Sequence, residues 1–162
     1  VTIHLLISRG KASAAGGANE GPGRITLEIL ETEDLGRGVE LFLHEVGHLM
    51  EKVRFDPLFE AASRRHGLKR LKGNQGWDAH QLVREALMGA LVPAGALSPY
   101  LGRQPMDHTA AAVKARERGD QWYAGLLELT GLYFPLVSEY IEQGRPIDKD
   151  LLDRALAYRL KI

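Results

Sequence analysis

The segment His44-Glu45-Val46-Gly47-His48 concentrates side chains that could do chemistry. On a helix the two histidines lie one turn apart and project side by side, so two imidazole nitrogens can meet one Zn²⁺ at ~2.0–2.1 Å. Glu45 falls about 100° round the helix, beside the metal face but outside the primary ligand set. A carboxylate placed there can accept a proton from an attacking water. Gly47 costs about 1 kcal/mol of helix propensity against alanine and leaves room for something to pack closely on this turn. The chain has no cysteine. Thiolate metal sites, iron–sulfur clusters, disulfides and cysteine nucleophiles are therefore excluded, and any metal must rest on histidine and carboxylate.

The surrounding pattern supplies elements that can hold such a group. Val1–Ser8 is apolar and β-branched and reads as a strand, and Ile25–Glu31 alternates apolar and polar residues as a half-buried strand does. Between them, Arg9 to Arg24 is rich in glycine and alanine without a hydrophobic period and reads as a loop. Its Gly10-Lys11 pair lacks the spacing of a phosphate-binding loop. From Val39 to Val53 the period becomes helical, with Val39, Phe42, Leu43, Val46, Leu49, Met50 and Val53 on one stripe and the histidines facing away from it. Pro57 to His66 reads as a second helix ending at Gly67, followed by a polar loop over Lys69–Gly76. Asp78 and Gln81 have capping-box spacing, with Trp77 placed to staple onto Leu82, and the helix they open runs to Val92, before Pro93. Beyond a connection from Pro93 to Pro105, helices are expected over Asp107–Arg118, over Asp120–Glu142 with a break at Pro135, and over Lys149–Leu160 capped by Asp148. Strands first and helices afterwards describe an α+β, helix-dominated chain.

Strand followed by a His-Glu-x-x-His helix resembles the zincin metallopeptidases. The branch that needs a glycine and a third histidine three and six residues after the second histidine is rejected, because Glu51 and Arg54 occupy those positions. The branch that takes a glutamate from a later helix points to Glu85, 37 residues beyond His48. Glu85 stands mid-helix in apolar surroundings where an unpaired carboxylate is costly, and Gly89 one turn on would let its helix approach the first. The string from Val83 to Pro93 is similar to the segment that follows the metal-binding helix in ImmA/IrrE-like metallopeptidases. His80 and Asp78 are rival third ligands, although Asp78 is better explained as a cap, and Glu51 is placed to support His48. Gly89 stands where glutamate-type zincins often carry an aspartate, so support for His44 must come from elsewhere.

The resemblance spans about Ile25 to Leu97. It implies a zincin-like α+β fold with a small N-terminal β-sheet, the motif helix and a mainly helical C-terminal part. It also implies one Zn²⁺ per chain on His44, His48 and Glu85, with Glu45 as general base in peptide-bond hydrolysis. The implied substrate is a polypeptide, in the ImmA/IrrE case a regulatory protein met in the cytoplasm. One domain over residues 1–162 is expected, with a core over 1–97 carrying the site and a helical extension over 106–162. The same core occurs in toxin-type zinc proteases and in modules of large phage or plasmid proteins, and a chain that opens on Val1 would suit an excised piece. Two readings compete: a zinc-stabilised interaction module without proteolysis, and a helical interaction domain in which the motif is accidental.

Composition narrows the field further. The 162 residues carry 21 basic and 21 acidic side chains, a balance that argues against a dedicated nucleic-acid binder. No apolar run approaches the length that spans a bilayer, and the apolar start is too short for a signal peptide. His4, His66 and His108 lack partners at metal spacing and read as structural or solvent-facing. Tyr100, Tyr123, Tyr133 and Tyr140 are the tyrosines that could stabilise an oxyanion, with helical spacing explaining Tyr133 and Tyr140 equally well as core. Lys114, Arg116 and Arg118 read as a solvated face, and the series Leu126, Leu127, Leu129, Leu132, Leu136, Val137 and Ile141 as a buried stripe.

Overall fold

The structure is a computed structural model that describes residues 2–8, 18–21, 24–30, 35–50, 55–67 and 79–159. Three strands come first: β1 (Thr2–Ser8), β2 (Ala18–Gly21) and β3 (Arg24–Leu30). They form one sheet in the order β1-β3-β2. β1 lies parallel to β3 with Ile3 opposite Ile25 and Leu5 opposite Leu27, whereas β2 runs antiparallel to β3 with Glu20 opposite Ile25. β2 corrects the expectation of a loop over Arg9–Arg24. Its sequence, Ala-Asn-Glu-Gly, carries no β-branched or aromatic residue; what makes it a strand is main-chain pairing with β3, which leaves no side-chain signature.

Six helices follow among the described residues: α1 (Leu35–Met50), α2 (Asp56–Arg65), α3 (Ala79–Leu91), α4 (His108–Glu117), α5 (Gln121–Glu142) and α6 (Lys149–Arg159). The mix of a small sheet and many helices agrees with the α+β expectation. α1 begins four residues before Val39, while the expected continuation to Val53 lies outside the described residues, as do the Trp77 staple and the Asp78 cap. Asp148 caps α6 as expected, and Asp107 and Asp120, expected as first helical residues, are caps of α4 and α5 as well, each accepting a backbone N–H three residues on at 2.9–3.0 Å. No break occurs at Pro135: α5 is one helix of 22 residues through it. The proline ring is exposed, while Tyr133, Leu136 and Val137 beside it are buried, so packing on both sides holds the helix through the missing N–H.

The main core joins four helices, through Phe59 and Ala62 of α2, Val83 and Leu87 of α3, Tyr133 and Val137 of α5 and Leu152 and Leu156 of α6. A smaller cluster of Ala112, Ala115, Ala124 and Leu127 seats α4 on α5. Of the leucine-rich stripe of α5, Leu127, Leu129, Leu136 and Val137 are buried, Leu126 and Ile141 are partly buried, and Leu132 is 38% exposed. α1 stands apart from this core, touching β2, β3 and α3. Its apolar stripe is therefore only partly covered, and Leu43, Val46 and Met50 border a cavity of about 610 Å³ that also touches Met88, Val92 and Ile147. No helix among the described residues is long and apolar enough to cross a membrane.

α6 is tied to α2 by one carboxylate. Asp153 accepts from Lys149 at 2.6 Å, from Arg65 at 2.8 Å and from His66 at 3.1 Å. Lys149 above all, with Arg65 and His66, holds the Asp153 carboxyl well below the usual carboxylate range, although burial pulls the other way. A group whose pKa is depressed by folding contributes stability above its unfolded value, near pH 4, and loses that contribution as pH falls through the folded value. Asp153→Asn is therefore expected to lower the melting temperature at pH 7. The gap to wild type should narrow below about pH 4, as thermal melts across that range would show; a gap that stays constant would remove Asp153 from the acid response.

Candidate metal centre

The motif becomes a site because α1 lies along α3. At Gly47 a β-carbon would collide with the Met88 sulfur, so the Met88 side chain of α3 lies directly on this turn of α1. Met88 stands one turn beyond Glu85, so this contact brings the Glu85 carboxylate up to the histidines of α1. Gly89 does not assist: a β-carbon there would meet Thr130 of α5 at 3.2 Å, so that glycine serves the opposite side of α3. The expectation that Gly89 opens the approach to the first helix is corrected accordingly.

His44, His48 and Glu85 converge, and they form a group that could hold a metal ion. The His44 and His48 rings stand edge to face at 81°, with their Nε2 atoms 2.9 Å apart. Glu85 Oε2 lies 3.4 Å from His44 Nε2, and Oε1 lies 3.3 Å from His48 Nε2. Ligands bonded tetrahedrally at 2.0–2.1 Å stand about 3.3–3.4 Å from one another. Each histidine nitrogen faces a different oxygen of Glu85 at about that length, and the two nitrogens are closer to each other than such an edge. Side-chain exposures of 14%, 15% and 23% place the three groups beneath the surface yet within reach of solvent. Burial alone would raise the Glu85 pKa, but the hydrogen bonds and positive potential of His44 and His48 outweigh it and lower the value to about 2. Glu85 is thus an anion at neutral pH, as a ligand must be.

The support missing from Gly89 comes from main chain. His44 Nδ1 donates to the carbonyl of Val92, 2.9 Å away, just beyond the end of α3. A carbonyl can only accept, so Nδ1 carries a proton, and Nε2 is left as the nitrogen that faces Glu85 and would ligate a metal in the neutral ring. Sequence reasoning missed this partner because any residue type can present a carbonyl.

The other residues singled out from the sequence lie elsewhere or play other parts. His80 is 7% exposed, packs edge to face on Phe59 and stands 3.6 Å from Glu60, which turns it toward α2. Five helical positions separate it from Glu85, a rotation of about 140°, so the two face different neighbours. His80 is therefore not brought to the metal group, and Asp78 and Glu51 lie outside the described residues. Glu45 is partly buried on α1 and is not one of the three converging ligands. His66 pairs with Asp153, His108 is buried beside Phe134, and His4 is exposed. Burial lowers the His108 pKa despite the opposing charge of Asp107. Tyr133 and Tyr140 belong to the core, Tyr140 donating to Asp150 at 2.6 Å. Tyr100 and Tyr123 are exposed, as are Lys114, Arg116 and Arg118.

Compared with protein-family models, with curated proteins and with solved structures, the chain matches none.

Proposed function

We propose that the chain is a zinc-dependent metallopeptidase whose zinc is held by His44, His48 and Glu85 and whose general base is Glu45. The observation that carries the reading is the convergence of two imidazole Nε2 atoms and one ionised carboxylate within the reach of a single metal ion. Three such groups converging on one point are held together by shared protons or by a metal cation, and two nitrogens with one oxygen is the donor set of a catalytic zinc site. When bound, the ion supplies a Lewis acid that acidifies water and polarises a carbonyl.

Glu45 follows His44 in the chain and lies beside the ligand face of the helix. It accepts the proton of the attacking water and delivers it to the leaving amine as the peptide bond breaks. The proton is conserved across these two transfers: water loses it, Glu45 carries it, and the departing nitrogen gains it. Hydrolysis of a polypeptide is what the resemblance to zincins adds to the geometry. The likeness of the Val83–Pro93 string to ImmA/IrrE-like metallopeptidases further favours a regulatory protein of the cytoplasm as substrate.

Zinc content and peptide hydrolysis, measured on the same preparation, test the reading. Near one zinc per chain, hydrolysis of a denatured protein or peptide mixture, its loss on chelation and its return with added zinc are expected. A preparation that takes up no zinc would overturn the metal centre. Full zinc without hydrolysis would make the ion a structural clamp and the chain an interaction module.

A further inference from the structure

We infer that Glu40 is a positioning residue for the metal centre: its buried carboxylate pins the loop after α3 so that the Val92 carbonyl stays on His44 Nδ1. The inference rests on the metal-centre reading above. Glu40 precedes His44 by one helical turn, so Glu40, His44 and His48 fall on one face of α1 at intervals of four. It is 1% exposed, a position in which a charge is costly unless every lone pair is used.

All three of its partners given by the structure belong to the loop that follows α3. Oε1 accepts from the backbone N–H of Ala94 at 3.1 Å and from the Ser98 hydroxyl at 2.5 Å, and Oε2 pairs with Arg103 Nε at 3.3 Å. The loop itself is tightly folded. Ala96 and Leu97 donate to the carbonyls of Ala90 and Leu91 at 2.8 and 3.1 Å, and Met106 donates to Ala94 at 2.8 Å. A β-carbon on Gly95 would stand 2.5 Å from the Ala90 oxygen, so the loop backbone packs directly on the end of α3 and only glycine fits there. Ala94, held by Glu40, is two residues from Val92, whose carbonyl receives the His44 proton.

α1 therefore grips this loop at two successive turns, once through Glu40 and once through His44. The first grip fixes the second. Removing the carboxylate takes one side-chain tie from each of Ala94, Ser98 and Arg103. The Val92 carbonyl then drifts from Nδ1, and the His44 ring is no longer held in the tautomer that presents Nε2 to the centre. Orienting partners of this kind are worth about 10–100-fold in metal affinity.

The test uses the full chain as wild type, Glu40→Ala and Glu40→Gln. Zinc affinity is measured by competition with a chelator, and the His44 tautomer is read from ring ¹⁵N shifts of the metal-free protein. Glu40→Ala is expected to weaken zinc binding by ~10–100-fold and to mix the His44 tautomers. Glu40→Gln, which keeps an acceptor for Ala94 and Ser98, is expected to recover most of both. A folded Glu40→Ala protein with wild-type affinity and an unmixed tautomer would overturn the assignment. If Glu40→Ala does not fold, Ser98→Ala and Arg103→Ala each remove one partner and should move both readouts in the same direction; no movement in either would overturn it equally. Absence of zinc from the wild type would defeat the metal centre instead, and the tautomer in the metal-free chain would still decide whether Glu40 governs His44.

Discussion

Glu45→Gln is expected to reduce peptide hydrolysis by about 10²–10⁴-fold, the usual contribution of a positioned general base. Zinc content and melting temperature should stay at their wild-type values. Glutamine has the shape of glutamate but cannot take up a proton at neutral pH, so the variant removes the proton transfer while keeping the size of the side chain. Glu45 is not one of the three converging ligands, which is why the metal should remain. The readout is the initial rate on a peptide mixture at fixed zinc occupancy. Unchanged turnover would remove Glu45 from the reaction, and simultaneous loss of zinc would make it part of the binding site instead of the base.

Glu85→Ala is expected to abolish tight zinc binding. The two histidines that remain offer neutral nitrogens and no compensating charge, and a single carboxylate is the whole negative contribution to the donor set. The fall in affinity should exceed the ~10–100-fold typical of losing an outer hydrogen-bond partner, which separates Glu85 from Glu40 by magnitude. The fold should tolerate the change. Glu85 is partly exposed, and the core residues of α3 are Val83, Ala86, Leu87 and Ala90. Zinc per chain by elemental mass spectrometry gives the occupancy. Melting temperature with and without added zinc gives the linkage: a clear rise in wild type and almost none in the variant. Full zinc in Glu85→Ala would take the third position away from this residue.

The fold was legible wherever a side-chain period reports it. The alternation in β3, the capping aspartate at 148 and the apolar face of α5 all act through neighbours a few residues away, and each found its element. Misreadings arose where distant groups set the outcome. β2 exists through main-chain pairing with β3, and α5 passes Pro135 because its flanks are buried. The stripe of α1 promised a buried face, yet Val39 is 46% and Met50 61% exposed, because the core formed among α2, α3, α5 and α6 instead.

The same division runs through the site. The sequence by itself determined that His44 and His48 stand side by side with Glu45 beside them, since one helical turn is a local repeat that needs no other element. It also narrowed the third ligand to a few residues, Glu85, His80 and Asp78 among them. Only the tertiary structure decided between Glu85 and His80, because that depends on which side of α3 meets α1: the Gly47–Met88 contact turns Glu85 inward and leaves His80 against α2. The Val92 carbonyl and the Glu40 carboxylate likewise acquire their parts only when the loop after α3 folds back on α1. Helix periodicity acts over a few residues, whereas the pairing of helix faces is a property of the packed chain.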